Sequence, residues 1–183
     1  ESLVLLGACI ERTDGKVIFR SGIERERNES ITLNARLAGT TARFLTAVCG
    51  LVSGPTLITG ENALLSRPMN DLHQALLSLG ISVEWRGEAG HLPVVIHRGV
   101  TTGSTVELPA AISSQFTSAL LLTSPALPDG LTLSIVGEVV SQPYIDMTTD
   151  VMRLFGAQVD VALSNTIVAP GGYLGASFEV EPD

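Results

Sequence analysis

Chemistry in this sequence concentrates where two apolar helices are expected to begin. One start reads Ala38, Gly39, Thr40, Thr41 ahead of ARFLTAVCGLV; the other reads Ile112, Ser113, Ser114, Gln115 ahead of FTSALLLTS. The first turn of a helix leaves backbone N–H groups unpaired and carries about half a positive charge, which makes it a ready seat for an anion. Gly39 lets a ligand come close to the backbone, and the Ser113 and Ser114 hydroxyls add donors. Taken singly, Thr40 and Ser113 also suit the plainer role of capping their helices, worth about 1 kcal/mol each. Arg67, directly before Pro68, moves the reading toward a ligand, because a guanidinium offers phosphate a bidentate fork. In the corresponding stretch further on, Ser141, Gln142, Pro143, Tyr144, a glutamine replaces the arginine and a tyrosine offers its face to an apolar ring. Arg43, one turn inside the first helix, reads as a support for the loop, since an unpaired buried charge is costly. His73, His91 and His97 read as surface residues without a catalytic partner.

The elements that must position these residues come from an internal repeat. LITGENALLSRPMNDLHQALLSLGISVEW lines up with LSIVGEVVSQPYIDMTTDVMRLFGAQVDV. Gly60, Pro68 and Gly80 recur as Gly137, Pro143 and Gly156, roughly 75 residues on, and Gly7 marks a partial earlier copy. Pro68 and Pro143 suit the first turn of a helix, and Gly80 and Gly156 suit its end. Leu72, Leu76, Leu77 and Leu79 form the apolar side of one helix; Ile145, Val151, Leu154 and Phe155 form that of the other. ISVEW with LPVVIHRG, and AQVDVAL with NTIVAPGG, read as hairpins.

The two apolar helices are hydrophobic nearly all round, which marks them as buried, and a strand flanks each on both sides. The fold class predicted is α+β: repeated βαβαββ units with pseudo-threefold symmetry, buried helices inside and sheets outside. The expected division is one incomplete domain over 1–183. It comprises a partial repeat over about 1–30, a second over about 31–100, a third over about 101–175, and a strand leading onward from 176 to 183. Rotational pseudo-symmetry predicts that both helix starts meet at one end of the domain. The first residues enter mid-repeat, so the chain reads as a piece of something longer.

Composition bounds the rest. The chain has 183 residues, with 45% hydrophobic, 16% charged and 4% aromatic, which excludes a disordered polar chain and predicts an aliphatic core. A net charge of −8 argues against a general nucleic-acid surface, though a local pocket for a small anion can still be positive. Cys9 and Cys49 sit in apolar settings without metal spacing and read as buried inert thiols. No metal or cofactor is expected. No apolar run reaches the roughly 20 residues of a membrane span, and the opening lacks the pattern of a secretory signal. A cytoplasmic, reducing setting is the expectation.

LAGTTARFL, SRPMNDL, ISSQFTSALL and VSQPYIDMT together resemble the enolpyruvyl transferase superfamily, and within it the branch acting on shikimate 3-phosphate. The motifs occur in the family's order, the likeness covers nearly the whole chain, and SSQF followed by QPYIDMT is the specific pair. The resemblance implies two domains, each of three βαβαββ units. It implies transfer of the enolpyruvyl group of phosphoenolpyruvate to the 5-hydroxyl of shikimate 3-phosphate with release of phosphate, on the route to chorismate and the aromatic amino acids. By resemblance, Ser113, Ser114 and Ser141 bind the phosphate of shikimate 3-phosphate and Tyr144 lies against its ring. Gln115 contacts both substrates; Gly39 and Arg67 bind phosphoenolpyruvate or the herbicide glyphosate; Thr40 and Arg43 shape their loop. Gln115 and Arg67 are the implied catalytic residues.

Leu37 stands where the family often has Asn, and Phe44 where it often has Pro, which bears on glyphosate sensitivity. The acid–base groups belong to a second domain that the resemblance places beyond this chain, so negligible turnover is predicted for the 183 residues alone. The sister enzyme acting on UDP-N-acetylglucosamine fits less well: the loop Glu61–Ser66 has no cysteine and the SSQF and PYIDMT pair is foreign to it. A noncatalytic repeat domain and an RNA terminal phosphate cyclase-like protein are the other readings; the negative charge opposes the latter.

Overall fold

A strand, a buried helix, a parallel strand, a second helix and a hairpin follow one another twice in this chain. The computed structural model describes residues 1–111, 113–137, 142–162 and 165–180. It has two compact units, Glu1–Val100 and Thr101–Asp183.

The first unit opens with a single helical turn, α1 (Ser2–Leu5), and an antiparallel hairpin of β1 (Ile10–Thr13) and β2 (Lys16–Phe19). Then come β3 (Ile31–Asn34), α2 (Gly39–Cys49), β4 (Thr56–Thr59), the short α3 (Asn62–Leu65), α4 (Asn70–Ser78), β5 (Ser82–Trp85) and β6 (Val94–His97). The sheet order is β3-β4-β6-β5, with β3 parallel to β4 and the other pairs antiparallel. A parallel pair needs a crossover, and α2 supplies it.

The second unit has β7 (Thr105–Pro109), α5 (Ser114–Thr123), a 3-10 turn at Ser124–Ala126, β8 (Leu131–Val136), α6 (Gln142–Leu154), β9 (Val159–Ala162) and β10 (Asn165–Val168). Its sheet order, β7-β8-β10-β9, with β7 parallel to β8, repeats that of the first unit. No strand is present over 176–180, the described part of the segment read as a strand leading onward.

The repeat rests on three helix-ending glycines. Gly7, Gly80 and Gly156 follow α1, α4 and α6 with φ of +94°, +80° and +83°, a conformation open to glycine at little cost. The apolar helices are the inner ones, as their composition predicts. α2 buries Ala42, Leu45, Thr46, Ala47 and Cys49, and α5 buries Phe116 through Leu121 with Thr123. Their buried hydroxyls bond back along the helix: Thr46 Oγ1 donates to Ala42 O at 2.8 Å and Thr123 Oγ1 to Ala119 O at 3.0 Å. Among the described residues no helix is long and apolar enough to cross a membrane.

Several details depart from the sequence reading. Pro68 precedes α4 rather than starting it, because the extra turn α3 takes up part of the loop; Pro143 does fall in the first turn of α6. Leu77 and Leu154 face outward, and the buried stripe of α6 is Ile145, Thr149, Met152, at the i, i+4, i+7 positions of one face. His73 is fully buried beside Leu72: Trp85 Nε1 donates to its Nδ1 at 3.0 Å, and burial, with a smaller effect of His91, pushes its pKa down to about 4. His91 and His97 are half-buried. Cys49 is buried and its thiol is pushed up to about 12 by desolvation, whereas Cys9, just ahead of the hairpin, is exposed.

Candidate functional site

Both loops that follow the parallel strands β3 and β4 leave the same edge of the first sheet. The first ends at Ala38, the N-cap of α2, whose backbone is extended (φ −81°, ψ 94°) and which has no side-chain cap bond. Thr40 is exposed and lies inside the helix, so it is not the cap. The first-turn N–H groups of α2 therefore lack the oxygen that a Ser or Asp cap would bring.

Two guanidiniums converge on this start. A methyl group on Gly39 would lie 2.8 Å from Arg43 Nη1 and 2.8 Å from Arg67 Nη1, so the two nitrogens are no more than twice that distance apart. Arg43 reaches back one turn along α2; Arg67 comes from the loop after α3, where its own N–H bonds Leu64 O at 3.0 Å. Arg43 is half-buried and its pKa is lowered, chiefly by burial and then by the Arg67 charge. Two like charges at such a separation repel, and solvent at the exposed Arg67 screens part of that repulsion. An anion placed against both would reverse that sign. The structure thus gives Arg43 a place facing the glycine, where sequence reasoning made it only a loop support, and the spacing i, i+4 from Gly39 was the available signal.

In the second unit, β7 and β8 are parallel and α5 starts at the end of β7. Ser113 is the N-cap of α5, with its Oγ accepting from Gln115 N at 3.3 Å. Ser113 is exposed, and Ser114 and Gln115 are half-buried. Tyr144 stands in the first turn of α6 and is 60% exposed. Two hydroxyls join the helices: Thr148 Oγ1 donates to Tyr144 O at 2.7 Å, which leaves Ser118 Oγ as donor to Thr148 Oγ1, also at 2.7 Å. Ser141 lies outside the described residues. Gly39, Thr40, Arg43 and Arg67 are therefore gathered in the first unit, and Ser113, Ser114, Gln115 and Tyr144 at α5 and α6 of the second.

Residues 1–183 match the profile of the family described as EPSP synthase (3-phosphoshikimate 1-carboxyvinyltransferase). A protein of Methanococcoides burtonii named 3-phosphoshikimate 1-carboxyvinyltransferase is 41% identical over 157 residues, which is 85% of this chain and 36% of that protein. A protein of the same name from Methanothermobacter thermautotrophicus is 34% identical, over 100% of this chain and 44% of that protein. The EPSP synthase structure from Acinetobacter baumannii shares the fold at a TM-score of 0.74 and 22% identity, covering 93% of this chain and 38% of that one. The chain thus spans less than half the length of these relatives.

Proposed function

The chain belongs to the EPSP synthase family, and from that premise we propose that it carries a substrate-binding part of a 3-phosphoshikimate 1-carboxyvinyltransferase. Phosphoenolpyruvate seats at the start of α2, against Gly39, Arg67 and Arg43, with Thr40 lining the loop. Shikimate 3-phosphate seats at the start of α5: Ser113, Ser114 and Ser141 take its phosphate, Tyr144 lies against its ring, and Gln115 contacts it. The observation that carries this reading is the pair of guanidinium nitrogens 2.8 Å from the position of a Gly39 Cβ, beside a helix start with no side-chain cap.

The chemistry follows from those groups. Protonation of the enolpyruvyl methylene carbon makes the adjacent carbon electrophilic, the 5-hydroxyl of shikimate 3-phosphate adds there, and loss of phosphate with a proton regenerates the enol ether. Arg67 and Arg43 stabilise the negative charge that leaves with phosphate. Gln115 orients shikimate 3-phosphate. Guanidiniums, amides and hydroxyls carry protons poorly near neutrality, so a second domain of the same enzyme supplies the acid and base, and the 183 residues alone turn over negligibly. Glyphosate competes at the α2 start, and the setting is cytoplasmic.

Titration of the isotope-labelled chain tests this reading. Phosphoenolpyruvate should give saturable amide shifts at Gly39 and Thr40, and shikimate 3-phosphate at Ser114 and Gln115. The absence of a saturable response to either ligand at millimolar concentration would overturn it in favour of a scaffold domain.

A further inference from the structure

The loop that delivers Gly39 contains the only non-glycine residue with a left-handed backbone among the described residues, Arg36 at φ +52°. That conformation is disfavoured for any residue bearing a Cβ, and it persists only where surrounding contacts over-determine it. Here they do. Asn34, the last residue of β3, accepts from Arg36 N through its Oδ1 at 2.8 Å, an Asx turn. Arg36 O accepts from Glu61 N at 2.8 Å, Ala35 N donates to Thr59 O at 2.9 Å, and Ala38 N donates to Ala35 O at 2.9 Å. Gly60 makes room for the contact, since a methyl group there would lie 2.7 Å from Arg36 O and 2.6 Å from Leu64 Cδ2.

The bonds from Arg36 join two loops with different cargo. One leads into Gly39 and Arg43; the other passes through α3 to Arg67. We propose that the clamp of Asn34, Arg36 and Gly60 is a positioning device that sets the separation of the Arg43 and Arg67 guanidiniums about Gly39, and thereby the affinity for phosphoenolpyruvate. This rests on reading the α2 start as the phosphoenolpyruvate seat. The backbone of Arg36 acts, not its charge: an extended residue 36 would turn its carbonyl off Glu61 and carry Ala38 and Gly39 away from Arg67. Charge-assisted contacts tolerate displacements of only about 0.5 Å, so a small shift there separates the two cations from a shared anion.

The experiment uses three variants that all remove the Arg36 charge and differ in backbone preference. Asparagine and glycine accept the left-handed conformation; valine does not. Phosphoenolpyruvate affinity of the folded chain is measured below the melting transition, with Arg67→Ala as the control for the seat itself. Arg36→Asn and Arg36→Gly should bind within about twofold of the parent, and Arg36→Val about tenfold more weakly, the loss of about one charged hydrogen bond. If Arg36→Val does not fold, Asn34→Ala is compared with Asn34→Asp, which keeps the acceptor; the alanine variant should bind more weakly and the aspartate variant should restore affinity. A merely structural role would lower the melting temperature and leave the affinity of the folded chain unchanged. Equal affinity across either series, with Arg67→Ala weakened, overturns the clamp alone. An unweakened Arg67→Ala, or a parent chain that does not bind, overturns the seat and the clamp with it.

Discussion

The starts of α2 and α5 occupy the same place in two copies of one topology, and they are built from opposite materials. At α2 the cap position is Ala38, no side chain closes the first turn, and two guanidiniums face the glycine that opens the helix. At α5 Ser113 closes the turn on Gln115 N, and the residues around it are hydroxyls and an amide. On the proposed reading the repeat sets where an anion would be met, and the side chains set how. The α2 start would attract an anion with charge, which salt screens; the α5 start offers short-range donors, whose geometry would matter more than their field.

The comparison breaks most directly at Gly39. In Gly39→Ala the methyl group would need the space now held by Arg43 Nη1 and Arg67 Nη1, each 2.8 Å away. Both cations must move, so phosphoenolpyruvate affinity should fall by about a hundredfold, equivalent to losing one or two charged hydrogen bonds. Shikimate 3-phosphate affinity should stay within about twofold if the two starts act separately. Calorimetric titration of each ligand alone checks both statements, and an equal loss for the two would end the distinction.

A second contrast is in pH. All three histidines lie in the first unit, and only His73 is deeply buried. Its pKa falls from the usual 6.5 to about 4 in the folded chain, mainly through desolvation. Between these values the unfolded chain binds the extra proton, so stability is full above about pH 6.5, declines as pH falls toward 4, and levels off below. The complete shift corresponds to roughly 3 kcal/mol. Urea unfolding followed by Trp85 fluorescence at pH 7 and pH 5 should show a lower midpoint at pH 5, and His73→Gln should remove most of that difference. Amide exchange in the second unit should not follow it over this range; an equal loss there would make the effect general rather than that of His73.

The smallest effect expected separates the two threonine and serine positions that sequence reading treated alike. Ser113→Ala removes a cap bond and should cost about 1 kcal/mol in thermal or urea melting, with Thr40→Ala near zero because Thr40 caps nothing. Comparable losses for both would mean that the α2 start is capped after all.

Much of the fold was legible because it is written in local patterns. Apolar runs without a polar face announced α2 and α5 as inner helices, and Gly80 and Gly156 ended the amphipathic helices where the repeat required. Side-chain facing was less legible. The sequence places His73 on an exposed helix, yet its i−4 and i+3 neighbours Met69 and Leu76 are buried and put it on the inner side of α4, where Trp85 satisfies Nδ1 while Nε2 stays unpartnered. Cys9 was read inward from its apolar neighbours, but it sits where α1 gives way to the exposed hairpin.

The sequence by itself determined the order of elements, the two helix starts and the residue types placed at each, because helix ends, burial and turns follow from neighbours a few positions apart. Only the tertiary structure decided that Arg43 and Arg67 share one glycine. Those residues belong to different loops, and the parallel register of β3 on β4, continued by the bonds from Ala35 to Thr59 and from Glu61 to Arg36, is what closes the distance between them. Register is a property of paired strands rather than of either segment, so no reading of one segment alone contains it.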